Sequence, residues 1–66
     1  MKINVAVIGI GNMGKYHINN YLEMENVNLV AICDLDDSKL KKYEGDFKKY
    51  KNIDEMLNKE KIDLIS

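Results

Sequence analysis

Apolar residues along this chain come in short unbroken blocks separated by amphipathic stretches. Residues 3–8 are apolar except for Asn4, with Ile3, Val5 and Val7 on one side of an extended chain and Ala6 and Ile8 on the other. Apolar positions on both sides predict a central parallel strand covered by helices, not a half-exposed antiparallel one. From Met13 the period becomes helical, with Met13, His17, Tyr21 and Met24 on one face and Ile18 and Leu22 beside it. That face is expected to meet the sheet, which makes His17 a packed residue more than a catalytic one. Asn26 and Asn28 mark a turn, and residues 29–33 (LVAIC) form a second buried strand that stops at Asp34.

Asp36, Asp37 and Ser38 then form an acidic, cap-rich helix start, with Lys41 and Lys42 toward the other end, as the helix dipole prefers, and Gly45 as the stop. Residues 47–50 read as a short third strand whose two lysines suit a sheet edge. Asn52, with Glu55 three residues later, resembles a capping box and opens a brief helix through Leu57. Residues 62–66 begin another strand. Strand and helix alternate throughout (βαβαβαβ), which predicts an α/β fold with a parallel sheet and right-handed crossovers, as one unit over residues 1–66.

Composition narrows the partners. Eleven acidic residues face ten basic ones, and no single-signed face stands out to draw nucleic acid or an anionic membrane. All the basic residues are lysines, so the guanidinium forks favoured for phosphate recognition are missing. The single cysteine, Cys33, excludes an internal disulfide, and no Cys/His cluster suggests a metal. No signal peptide and no run of about 18 apolar residues is read, and a lone cysteine suits a reducing compartment, so the cytoplasm is expected. A chain of 66 residues hides only about 60% of its unfolded surface and is marginal by itself.

The candidate chemistry lies where the first strand ends. Gly9, Gly11 and Gly14 form G-x-G-x-x-G, a helix pattern opens within them, and a second buried strand ends in an acid 20 residues beyond Gly14. Alone the glycines are a weak signal; in that context they point to a dinucleotide. Gly9 lets the chain turn sharply, Gly11 offers no side chain to block a pyrophosphate, and Gly14 lets the helix lie close. Amides around Ile10, Asn12 and Met13, unpaired because they open a helix, are expected to face the phosphates with the positive end of the helix dipole behind them. Asp34 is expected to accept from the adenosine ribose hydroxyls. Its charge opposes a 2′-phosphate, since like charges about 4 Å apart repel by roughly 4 kcal/mol at an effective dielectric of 20. Asp36 and Asp37 add to that field, which favours NAD over NADP. Cys33 reads as a buried inert thiol, and the six lysines of residues 39–51 as a solvated surface.

Taken together, "KINVAVIGIGNMGKYH", "NVNLVAICDLDDSKL" and "YKNIDEMLNKEKIDLIS" resemble the N-terminus of the Gfo/Idh/MocA family of glucose-fructose oxidoreductase and inositol dehydrogenase relatives, over the whole chain. The resemblance implies a Rossmann domain that binds NAD(P), with Gly9, Gly11, Asn12, Met13 and Gly14 at the pyrophosphate and Asp34 at the ribose. It also implies hydride transfer to or from sugars, polyols and related small molecules. The family's T-P turn, its E-K-P lysine and the Asp and His that move protons have no counterpart in these residues. The expectation is therefore an incomplete, first part of a Rossmann-type sheet with no catalytic residue of its own, and with an open sheet edge that favours self-association. A non-catalytic NAD-sensing module, or the N-terminus of another Rossmann dehydrogenase family, shares these first-half features.

Overall fold

Seven elements alternate in the computed structural model, which describes residues 2–66, the side chains of Asn12 and Met13 excepted. They are β1 (Ile3–Ile8), α1 (Asn12–Glu23), β2 (Val27–Cys33), α2 (Asp37–Leu40), β3 (Lys48–Tyr50), α3 (Ile53–Lys59) and β4 (Leu64–Ile65). The strands form one four-stranded sheet in the order β3-β2-β1-β4, every neighbouring pair parallel. Going from β1 to β2 to β3 the chain moves one way across the sheet, and from β3 to β4 it returns. Crossovers of one hand must then put α1 and α2 on one face and α3 on the other.

The two resulting cores are unequal. On the α1/α2 side Val5, Val7, Leu29 and Ile32 of the sheet pack with Ile10, Ile18, Leu40 and Phe47. Beneath α3, the fully buried partners of Met56 are small, Ala6, Ala31 and Cys33, and the partly buried Ile8, Val30, Tyr50 and Ile62 pack around them. A β-bulge sorts these residues: Val5 pairs with Leu29 but Ala6 with Ala31, leaving Val30 as the extra residue. Strict alternation puts Leu29, Ala31 and Cys33 on one face. The bulge instead turns Val30 and Ala31 to the α3 side, Ile32 to the α1/α2 side and Cys33 back toward α3.

Two expectations about helices are corrected. The packed face of α1 is Gly14, Ile18 and Tyr21, spaced i, i+4, i+7, while His17 is exposed, as are Leu22 and Met24. The face is rotated because α1 starts against the glycine loop, where Gly14 has no side chain and Ile18 one turn later enters the core. The second helix is a single turn that ends at Leu40, not at Gly45. Beyond it the Lys42 and Tyr43 amides bond three residues back, to Lys39 and Leu40, and Gly45 lies against the Phe47 ring.

The caps follow the sequence. Asp36 accepts from the Ser38 amide, and Asn52 accepts from the Glu55 amide at 3.0 Å, while the Glu55 carboxylate turns to Lys59. β3 does occupy an edge, and Tyr50 at its end donates its hydroxyl to Glu60 beyond α3. That bond, with some burial and the nearby carboxylates, pushes the Tyr50 phenol from its ordinary 10.0 up to about 12. The stabilisation is therefore whole below pH 10 and disappears as pH rises through about 12. The difference in urea midpoint between the unsubstituted chain and Tyr50→Phe should stay flat up to the ordinary tyrosine range and shrink above it. A difference that persists unchanged through that range removes the bond from the account of stability.

Candidate functional site

The carboxyl ends of β1 and β2 stand side by side, Ile8 in register with Cys33, and the chain leaves each strand at the same level. Gly9 extends the pairing through its amide to the Cys33 carbonyl at 2.9 Å and then turns with φ +75°, the left-handed region that favours glycine. Gly11 caps α1, and a Cβ built there has no atom within 4 Å. Gly14 is different in kind: a Cβ there sits 3.1 Å from the Ile10 Cβ and 3.2 Å from the Gly9 carbonyl oxygen. The close approach it permits is to the loop itself, one turn earlier in the chain. Asn12 and Met13 open α1, so their amides have no acceptor one turn back within the helix. Any role of their side chains lies outside the described residues.

Asp34 lies at the end of β2, where its own amide bonds the Tyr50 carbonyl of β3 at 3.0 Å. Its Oδ2 accepts from the Ile10 amide at 3.0 Å and its Oδ1 from the Asp36 amide at 2.9 Å. The two sequence-predicted halves of the site, glycine loop and acid, are thus bonded directly to each other. This corrects one expectation: the Ile10 amide is not unpaired, because the Asp34 carboxylate reaches it first. A carboxylate oxygen accepts more than one bond, so Asp34 retains acceptor capacity while it holds the loop.

Beside Asp34 a cleft of about 520 Å³ opens over the ends of β1 and β2, with Gly9, Leu35, Asn52 and Ile53 among its lining residues. Leu35 is 90% exposed and Ile53 nearly half exposed, so the cleft has apolar walls facing solvent. Sequence reasoning missed both residues. The available signal was an apolar residue within the acidic D-L-D-D loop, and another directly after the cap of α3. Cys33 lines the same cleft yet is buried, and burial followed by the charge of Asp34 pushes its thiol up, away from the reactive thiolate. Among the described residues no His/Cys/Asp/Glu group is arranged to hold a metal, and no helix is long and apolar enough to cross a membrane.

An open parallel sheet with a glycine turn at a helix start, an acid at the end of the neighbouring strand and a cleft beside them defines an NAD-binding Rossmann unit. The chain belongs to the Gfo/Idh/MocA oxidoreductase family, whose NAD-binding Rossmann-fold model matches residues 3–66. Among solved structures it is similar to myo-inositol 2-dehydrogenase from Lactobacillus plantarum, with 30% identity and a TM-score of 0.85 over 98% of this chain and 20% of that one. It is also similar to scyllo-inositol dehydrogenase from Lactobacillus casei with bound NAD(H) and scyllo-inositol, with 25% identity and a TM-score of 0.84 over 98% of this chain and 20% of that one. The chain therefore spans about a fifth of the length of these structures. No curated protein matches it.

Proposed function

We propose that residues 1–66 form the adenosine and pyrophosphate half of an NAD site, as the N-terminal portion of the dinucleotide-binding domain of a longer cytoplasmic oxidoreductase. The observation that carries this reading is the Asp34 carboxylate fixed on the glycine loop at the Ile10 amide, beside a Gly11 with open space above it. The remaining lone pairs of Asp34 accept the ribose hydroxyls, the first-turn amides of α1 hold the pyrophosphate, and Leu35 and Ile53 flank the adenine. The charge of Asp34 favours NAD over NADP. When bound, the nicotinamide supplies hydride transfer. The residues described here bind and orient the opposite end of the cofactor, and the groups that move substrate protons lie outside them. The substrate class is a sugar, polyol or related small molecule, a reading supported by the likeness to two inositol dehydrogenases.

Fluorescence titration of the full natural chain with NADH should give saturable binding. Asp34→Asn keeps an acceptor but loses the charge, and charge-assisted hydrogen bonds exceed neutral ones by roughly 1 to 1.5 kcal/mol. NADH affinity should fall about tenfold in that variant, with the preference moving toward NADPH. Unchanged NADH affinity in Asp34→Asn removes Asp34 from the site.

A further inference from the structure

The Asp34 carboxylate bridges two loops that leave adjacent strands. Its Oδ2 accepts from the Ile10 amide of the glycine loop, and its Oδ1 from the Asp36 amide in the loop between β2 and α2. The backbone of Asp34 is fixed separately, by the bond from its amide to the Tyr50 carbonyl of β3, so the carboxylate is carried by the sheet and not by either loop. Each loop has a freedom that this bridge removes. On one side, the peptide between Gly9 and Ile10 follows a glycine at φ +75°, and glycine permits either orientation of the peptide after it. With the Ile10 N–H drawn to Asp34, the Gly9 carbonyl of the same trans peptide is turned the opposite way, toward α1, where its oxygen lies 3.2 Å from the place of a Gly14 Cβ. On the other side, Leu35 is almost wholly exposed and has little packing to fix it, and the bond from Asp36 back to Asp34 closes the turn around it.

From this geometry we propose that Asp34 is a positioning residue in addition to a ribose ligand: its carboxylate clasps the glycine loop and the Leu35 turn in the form that receives the nucleotide, so that even a nucleotide without ribose hydroxyls depends on it. The inference rests on the dinucleotide reading above and deepens it. Once released from Asp34, the peptide between Gly9 and Ile10 is free to turn over and to present a carbonyl oxygen, which repels phosphate, in place of an N–H. Affinity is then lowered by the fraction of chains that keep the receiving form. Electrostatics alone has the opposite sign. An anionic carboxylate repels a pyrophosphate, so if Asp34 served only the ribose hydroxyls, its removal would leave a nucleotide lacking them bound as before or more tightly.

The test compares ADP with 2′,3′-dideoxy-ADP, titrated by calorimetry into the full natural chain and its Asp34→Ala and Asp34→Asn forms. Hydrogen exchange of the ligand-free proteins is read at the Ile10 and Asp36 amides and along β1. Asp34→Ala should weaken 2′,3′-dideoxy-ADP by about tenfold, which corresponds to a receiving form kept by about a tenth of the chains. Exchange at both amides should quicken by at least about tenfold while β1 keeps its protection. Asp34→Asn offers one acceptor oxygen in place of two, so exchange should quicken at one amide at least, with a smaller loss of dideoxy-ADP affinity. It is the variant read if Asp34→Ala fails to keep β1 protected. Dideoxy-ADP bound by the folded variants as tightly as by the unsubstituted chain, with ADP alone weakened, overturns the clasp and leaves the reading above intact. Unchanged exchange at both amides overturns the clasp whatever the titrations give. Failure of ADP to bind the unsubstituted chain overturns the dinucleotide reading and this inference together.

Discussion

Gly11→Val should abolish NADH binding by the full natural chain while leaving its fold nearly unchanged. Position 11 has φ −68°, which any residue adopts, and its Cβ would meet no atom within 4 Å, so the folded chain has room for the side chain. The cap preference of glycine over valine limits the stability change to about 1 kcal/mol. That room is, however, the approach to the first-turn amides, and hydrogen bonds of about 2.9 Å cannot form through an isopropyl group. Losing two charge-assisted bonds of about 1.5 kcal/mol each lowers affinity by at least about a hundredfold. Gly14→Val makes the contrast, since it crowds Ile10 and the Gly9 carbonyl and should cost stability first. NADH titration and urea unfolding on each variant separate the two cases. Retained NADH affinity in Gly11→Val removes the cofactor from this loop.

Met56→Ala is the substitution expected to cost most in stability. Met56 is the buried residue of α3 and fills the space above Ala6, Ala31 and Cys33. Two of these neighbours are alanines, which have no rotamer with which to fill a void. The loss should therefore fall in the upper part of the range of about 2–5 kcal/mol for such truncations. Whole domains are stable by only about 5–15 kcal/mol, so a loss of that size should lower the urea midpoint markedly. α3 also supplies Ile53 to the cleft beside Asp34, and NADH affinity should fall with it. Leu57→Ala, on the exposed side of the same helix, should cost less than about 1 kcal/mol. A Met56→Ala midpoint close to that of Leu57→Ala refutes this packing account.

Much of the architecture is legible in the residues because the signals are local. The two apolar blocks ending at Ile8 and Cys33, the Asn52 cap and the lysines of β3 each predict a feature that involves only their own stretch of chain. The helix face is less legible. Counting every apolar residue of α1 pulls the buried stripe toward His17, whereas contact with the loop at Gly14 sets it at Ile18. The second helix ends early because the residues after Leu40 form tighter turns, with Tyr43 packed against the core, and a helical count through Glu44 does not register that.

The glycine spacing, the acid ending the second block and the strand–helix alternation determined the fold class from the sequence alone, since each depends on backbone freedom or apolar period within a few residues, while the family entered through the resemblance of the quoted stretches. Tertiary structure alone decided the rest. The bulge at Val30, the bond from Ile10 to Asp34, and the apolar walls at Leu35 and Ile53 all join residues distant in sequence. Their positions depend on register and helix rotation, which the packing of neighbouring elements sets and no single stretch of chain encodes.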